Sequence, residues 1–271
     1  MKLGICTIQR NRGRWLAEWV AFHYLMGFRN FYIYLHKCTD NSTDVIQALS
    51  KKFNIQCFVI PDDTFRPQLV SFQHAYQEFG HQIDWMAFID GDEFLFPTQA
   101  ENLSNVLEKY SYEKMSALGV WWSCFGSGGH IQEPEGLIIQ NYQRRPPENF
   151  PDNSHIKSIV MGHQGSHFSV GPNAHIFNTI HGTKDENLRN IDDGFMPNLG
   201  PTYNHIRINH YVCQSYQYFK EFKQNSGAAD AGALAVRSDT WWKKHDRNDE
   251  EDQTIQKFVP QLTELLSDIK I

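Results

Sequence analysis

The sequence predicts an α/β domain built on a mostly parallel sheet, and three observations predict it. Short apolar runs of strand length alternate with helix-period segments through the N-terminal third of the chain. The connections between them are short, the pattern of parallel strands covered by helices on both faces. Polar residues stand just past the ends of the runs, namely Arg10, Asp40 and the pair Asp90/Asp92. Ligands of open parallel sheets gather at those strand ends.

The elements follow in order. Leu3 to Ile8 reads as a buried strand ending in the polar loop Gln9-Arg10-Asn11-Arg12-Gly13. Trp15 to Met26 is helical, since Trp15, Trp19, Phe22 and Met26 recur near helical spacing and Gly27 stops the run. Phe31 to Leu35 is a second strand, and a helix follows with Asn41 or Ser42 as its cap. Ile55 to Ile60 is a strand, Gln68 to Phe79 a helix, and Trp85 to Ile89 a strand. Further on, Asn102–Tyr110 reads as a helix, Ala117 to Trp122 and Leu137 to Tyr142 as strands, and Ser215 to Phe222 as a helix with an aromatic face. Ile206 to Tyr211 alternates as a strand does, with His210 on the face opposite Arg207, Asn209 and Tyr211. Gly227 to Gly232 is a loop, and Asp252 to Leu266 is a terminal amphipathic helix that Pro260 interrupts or kinks.

Bulk composition narrows the function. The chain has 271 residues, 41% of them hydrophobic, enough for one large domain or two small ones and too apolar for disorder. A formal net charge of −6 without a basic stripe argues against nucleic acid as a partner. Five cysteines are scattered with no zinc-site spacing, which fits free thiols in a reducing compartment. The run from Met1 to Cys6 is too short for a signal peptide, and no stretch reaches the roughly 20 apolar residues that span a bilayer. The expectation is a cytoplasmic protein without a transmembrane segment.

The chemistry concentrates at Asp90-Gly91-Asp92-Glu93. Gly91 permits a sharp bend at the strand end. Carboxylates gathered there repel one another unless a cation neutralises them. Hard oxygen ligands suit Mg²⁺ or Mn²⁺, which bind one or two carboxylates together with substrate phosphates. Asp90 and Asp92 therefore read as a metal clamp for a diphosphate. An ordinary polar turn is the plain alternative. The glycine-rich stretch Phe125-Gly126-Ser127-Gly128-Gly129-His130 either approaches a ligand closely or forms a flexible hairpin tip. Neither a P-loop nor a dinucleotide-binding glycine motif is present.

Several blocks together resemble glycosyltransferases of the GT-A fold, of the kind grouped as glycosyltransferase family 92 and the related bacterial and viral family-2-like proteins. These are Leu16 to His23 with Gly27, Tyr32-Ile33-Tyr34 followed by Asp40 to Asp44, Trp85 to Phe94, Trp122 with Phe125 to His130, Lys157 to Val160, and Asn209-His210-Tyr211 with Ser215 and Phe219. Departures are the first loop, Gln9-Arg10-Asn11-Arg12, where relatives often place Asn-Glu, and Gln214 where a Lys often precedes the Ser.

The resemblance implies a single GT-A domain over 1–271, with a nucleotide-binding half at 1–100 and an acceptor-binding half at 101–271. It implies inverting transfer of a sugar from a UDP- or GDP-linked donor to a hydroxyl of a glycan or other acceptor. Asp90 and Asp92 would orient Mn²⁺ or Mg²⁺ on the diphosphate, with His210 completing the metal shell. Thr7, Arg10, Asn11, Asp40, Asp90, Gly91 and Lys157 would hold the nucleotide-sugar. For the general base the residues leave His130, Glu93, and Asp192 or Asp193 open. Trp121, Trp122 and Phe125 are either sugar-stacking or core aromatics. A sugar-nucleotidyltransferase and a non-catalytic nucleotide- or carbohydrate-binding module are the competing readings.

Overall fold

A computed structural model describes residues 1–226, 230 and 236–269. Its N-terminal elements are β1 (Leu3–Gln9), α1 (Gly13–Leu25), β2 (Asn30–His36), α2 (Ser42–Leu49), β3 (Ile55–Ile60) and α3 (Pro67–Phe79). β4 (Trp85–Phe88), β5 (Glu93–Pro97), α4 (Leu103–Tyr110) and β6 (Ala117–Cys124) follow. β1 pairs in parallel with β2 on one side and β4 on the other, and β2 pairs in parallel with β3. The strand Ile156–Met161 then runs antiparallel between β4 and β6. The strand Ile206–His210 lies parallel to β6 and antiparallel to β5. The mostly parallel sheet and the flanking helices that the sequence predicts are thus present.

Side-chain alternation divides the core between the two sheet faces. Ile5, Ile33 and Ala87 pack with α1 and α2, while Cys6, Tyr32 and Met86 pack with Leu69, Phe72 and Tyr76 of α3. Burying one large apolar side chain contributes about 1.5–3 kcal/mol, so this two-sided packing holds the strand ends in register.

Two local expectations are corrected and two refined. Leu137 to Tyr142 is not a strand; Ile138–Asn141 is a helical turn. The buried Glu18 carboxylate of α1 accepts the N–H groups of Ile138 (2.8 Å) and Ile139 (3.1 Å), which caps that turn from a distant element. Pro260 stands in the first turn of the helix Val259–Ser267 and starts it rather than kinking it, as its fixed φ and missing N–H allow. Asn41 takes the N-cap position of α2 but makes no side-chain cap hydrogen bond; Asp40 Oδ1 accepts from Ser42 N–H and Oγ–H instead. Within the glycine-rich stretch the close approach seen is that of Gly126 to another part of the chain. A Cβ on Gly126 would lie 2.4 Å from the Arg247 carbonyl oxygen. Ser127 and Gly128 N–H donate to Asp246 and Asn248, each at 2.7 Å. The expected loop at Gly227 to Gly232 lies outside the described residues except for Asp230. Among the described residues no helix is long and apolar enough to cross a membrane.

Candidate active site

β4 ends in the turn that carries the acidic residues. Glu93 N–H donates to the Asp90 carbonyl (3.2 Å), and the Glu93 carboxylate accepts from Asp90 N–H (2.9 Å). Gly91 is required here by contact, since a Cβ would lie 2.1 Å from the Gln9 side-chain oxygen. The chain then enters β5, whose register sets Glu93 opposite His210. That pairing brings His210 Nε2 to 3.7 Å from Asp92 Oδ1, while Tyr211 N–H donates to the Asp92 carbonyl. Residues more than a hundred positions apart in sequence therefore meet because of one strand's register.

Two lysines neutralise the corner. Lys157, buried in Ile156–Met161, places Nζ 3.0 Å from Asp90 Oδ2, and Gln68 Nε2 donates to Asp90 Oδ1 at 2.5 Å. Lys223 pairs with Asp92 Oδ2. Burial pushes both carboxyls up, but Lys157 holds Asp90 below its usual range, and Lys223 with His210 holds Asp92 well below it. Burial also drives Glu93 well above the usual range despite Lys157, with Asp90 adding to the rise. Burial lowers His210 against the pull of Asp92, which favours the neutral imidazole.

This corner forms one wall of a cavity of ≈ 680 Å³ at the C-terminal ends of β1, β2 and β4. Cationic side chains surround it: Arg10, Arg12, Lys37, Lys157, Lys223 and Arg237. Arg12 donates to the Gly91 carbonyl (2.9 Å) and the Tyr218 hydroxyl (2.6 Å), and its guanidinium lies 4.5 Å from the Trp15 ring centroid. Trp122 also lines the cavity, with its ring centroid 4.1 Å from that of His210.

Of the residues expected at the site, Arg10, Asn11, Asp90, Gly91, Asp92, Lys157 and His210 line the cavity. Thr7 is buried behind it and accepts from Gln9 Nε2 at 2.8 Å. Asp40 does not line it; it accepts from Gly13 N–H (2.9 Å) and Ser42, tying α1 to α2. Glu93 is fully buried beneath the turn. His130 sits outside the lining, its ring edge-on to Tyr142 at 5.7 Å. Asp193 is on the surface and accepts from Asn173 (3.1 Å) and Gly194 N–H (2.5 Å). Asp192 is likewise exposed. Sequence reasoning missed Gln68, Asp152, Lys223, Arg237 and His245, all of which line the cavity. None has a local motif. Lys223 is the last residue of a π-helical turn, Phe219–Lys223, whose register the helical periodicity does not predict.

The donors suit a hard divalent ion only in part. Among the described residues no group of three His, Cys, Asp or Glu side chains is arranged to hold one. Asp92 Oδ1 and His210 Nε2 are a carboxylate and an imidazole close enough to share an ion. Two protein donors with phosphate oxygens filling the remaining positions fit the habit of Mg²⁺ and Mn²⁺. Both oxygens of Asp90 are already engaged.

Residues 2–171 match glycosyltransferase family 92. The chain is 28% identical to a glycosyltransferase family 92 protein of Ricinus communis, over 97% of this chain and 48% of the relative. It is also 28% identical to one of Oryza sativa subsp. japonica, over 80% of this chain and 34% of that protein. The chain thus spans about half or less of the length of these curated relatives. Among solved structures it is similar to S. aureus TarS 1-349 in complex with UDP, with a TM-score of 0.39 and 13% identity over 59% of this chain and 47% of that one. It is similar also to the mannosyltransferase PcManGT of Pyrobaculum calidifontis in complex with GDP-Man and Mn²⁺, with a TM-score of 0.34 and 12% identity over 47% and 36% of the two chains. With the match covering more than half of its residues, including β1, the acidic turn and Lys157, the chain belongs to glycosyltransferase family 92.

Proposed function

We propose that the chain is a glycosyltransferase that moves a sugar from a nucleotide-sugar donor to an acceptor hydroxyl, with inversion at the anomeric carbon. The observation that carries this reading is one cavity in which an acidic turn faces a ring of cationic side chains at the ends of parallel strands. Such a wall matches a diphosphate leaving group, and family membership supports the reaction class. Residues 1–100 supply the nucleotide side and 101–271 the acceptor side in this reading.

Arg10 and Asn11 contact the nucleotide from the loop after β1, where both line the cavity. Thr7 acts at one remove, by orienting Gln9. Asp40 keeps α1 and that loop in place. Lys157 fixes Asp90 for contact with the donor. Asp92 and His210 would hold Mg²⁺ or Mn²⁺, which would supply positive charge to the departing diphosphate. Lys223, Arg12 and Arg237 place further positive charge on the same wall, where it stabilises developing negative charge more in the transition state than in the ground state.

The test is nucleotide binding and turnover. UDP or GDP with Mn²⁺ is expected to raise the melting temperature, since a ligand of the native state stabilises it. Asp92→Ala should lose the Mn²⁺-dependent part of that rise. Nucleotide-sugar incubated with enzyme should yield free nucleoside diphosphate. Unchanged Mn²⁺-dependent binding in folded Asp92→Ala would remove the metal from this mechanism.

A further inference from the structure

We propose that Asp152, held by His245, is the general base that takes the proton from the acceptor hydroxyl. The assignment rests on the glycosyltransferase reading above and supplies a residue that the sequence candidates did not. A base has to face the space where the hydroxyl arrives. Among the described residues four acidic side chains line the cavity: Asp90, Asp92, Asp152 and Glu221. Asp90 and Asp92 are paired with Lys157 and Lys223 on the diphosphate side. Glu221 is exposed and accepts from Gln217 one helical turn earlier.

Asp152 is different in three respects. Its backbone is fixed, because the short turn Pro151–Ser154 is clamped to β6 by Asn153, whose Oδ1 accepts from Cys124 N–H at 2.8 Å. Its carboxylate is oriented, with Oδ2 2.8 Å from His245 Nε2. His245 in turn has Nδ1 2.6 Å from the Trp241 carbonyl and its ring stacked on Trp241 at 4.0 Å. Asp152 Oδ1 has no hydrogen-bond partner among the described residues and remains able to accept a proton.

The position relative to the leaving group is set by Trp122. Its ring lies 4.8 Å from His155 and 4.1 Å from His210. His155 Nδ1 is 3.0 Å from the Asp152 carbonyl oxygen, and His210 faces Asp92. The indole therefore lies between the Asp152 turn and the acidic corner, with His155 stacked on it and His210 tilted against it. Its Nε1–H is buried without a partner among the described residues. In the reaction the acceptor oxygen forms a bond to the anomeric carbon while its proton passes to Asp152 Oδ1. The bond from that carbon to the diphosphate oxygen breaks, and its electron pair leaves with the nucleoside diphosphate.

The experiment compares wild type, Asp152→Asn, Asp152→Ala and His245→Gln with Mn²⁺ and UDP-glucose, UDP-galactose, UDP-GlcNAc or GDP-mannose. Nucleotide binding is read by thermal shift, and release of nucleoside diphosphate with water as acceptor is read separately. Asp152→Asn is expected to bind nucleotide within about twofold of wild type and to release it about 10²–10⁴-fold more slowly. Formate, a small carboxylate, should restore part of the rate in Asp152→Ala. His245→Gln, which loses only the positioning contact, should lose less rate than Asp152→Asn and gain nothing from formate. Release by Asp152→Asn within threefold of wild type overturns the assignment. So does loss of nucleotide binding in folded Asp152→Asn, which would make Asp152 a donor-binding residue. A wild type that binds neither UDP nor GDP with Mn²⁺ overturns the glycosyltransferase reading itself.

Discussion

Lys223 meets the carboxylate of Asp92 from the end of a π-helical turn. Such turns are uncommon and often mark functional sites, because the extra residue re-aims the side chains around it. The ammonium occupies one face of the carboxylate that, with His210, we assign to the metal. Lysine and ion therefore compete for Asp92. Lys223→Met is expected to raise affinity for Mn²⁺ alone by about ten- to hundredfold, the scale of one hydrogen bond to a charged group. Electron paramagnetic resonance of free Mn²⁺ reads it directly, and unchanged affinity would show that Asp92 does not bind the ion.

Lys157 is buried to 1% exposure beside Asp90, with Glu93 fully buried nearby. Taking away one partner of such a buried pair leaves an uncompensated charge. Lys157→Met is expected to cost about 3–5 kcal/mol in urea unfolding at neutral pH. A loss below about 1 kcal/mol would mean that water reaches the pair.

Gly91 and Gln9 form a packed contact. Gln9 is only 3% exposed, so it cannot swing freely away from an added methyl group. Gly91→Ala should cost about 1–3 kcal/mol, as overpacking does. Gln9→Ala in the same chain should recover most of that loss. If the double variant were no more stable than Gly91→Ala, backbone conformation and not contact would be the reason for the glycine.

His23 lies buried between α1 and β5. Its Nδ1–H donates to the Trp19 carbonyl (2.7 Å), and its Nε2 accepts from Leu95 N–H (3.2 Å). A second ring proton would face that N–H. Burial pushes the imidazole down from 6.5 to about 3, against the Trp19 hydrogen bond. Between those values the unfolded chain binds a proton that the folded chain does not, so stability falls as pH falls through this window. Between pH 7 and pH 5 this group should remove about 2 kcal/mol of stability. His23→Leu should be less stable at pH 7, because Leu95 N–H loses its acceptor, but should show a smaller drop between the two pH values. An identical drop in urea titrations would place the pH dependence elsewhere.

The N-terminal half was legible because its physics is local. Leu3–Gln9 and Asn30–His36 are apolar runs whose alternation packs both sheet faces, Ile55–Ile60 is a partly exposed one beside them, and their ends carry the polar loops. Asp90, Asp92 and His210 were read from residue type and family resemblance, and the structure brings them to one cavity wall. The errors arose where a distant group decides local structure. Apolar content at Leu137 to Tyr142 resembles a strand, but the Glu18 carboxylate supplies acceptors that only the fold brings there. Asp40 stands past a strand end like a ligand residue, yet two nearby N–H groups claim it. Asp152 and His245 are separated by most of the C-terminal half, and no spacing rule joins them.

The strand Ile206–His210 lies between β5 and β6, bonded to both. Late-made chain thereby closes a seam in early-made chain, and residues before and after position 100 share one woven layer. Chimeras that borrow only one half from a relative would leave open edges on both neighbours. Useful crossovers in this family should therefore exchange β4 through residue 210 as one block, carrying the acidic turn and its histidine together.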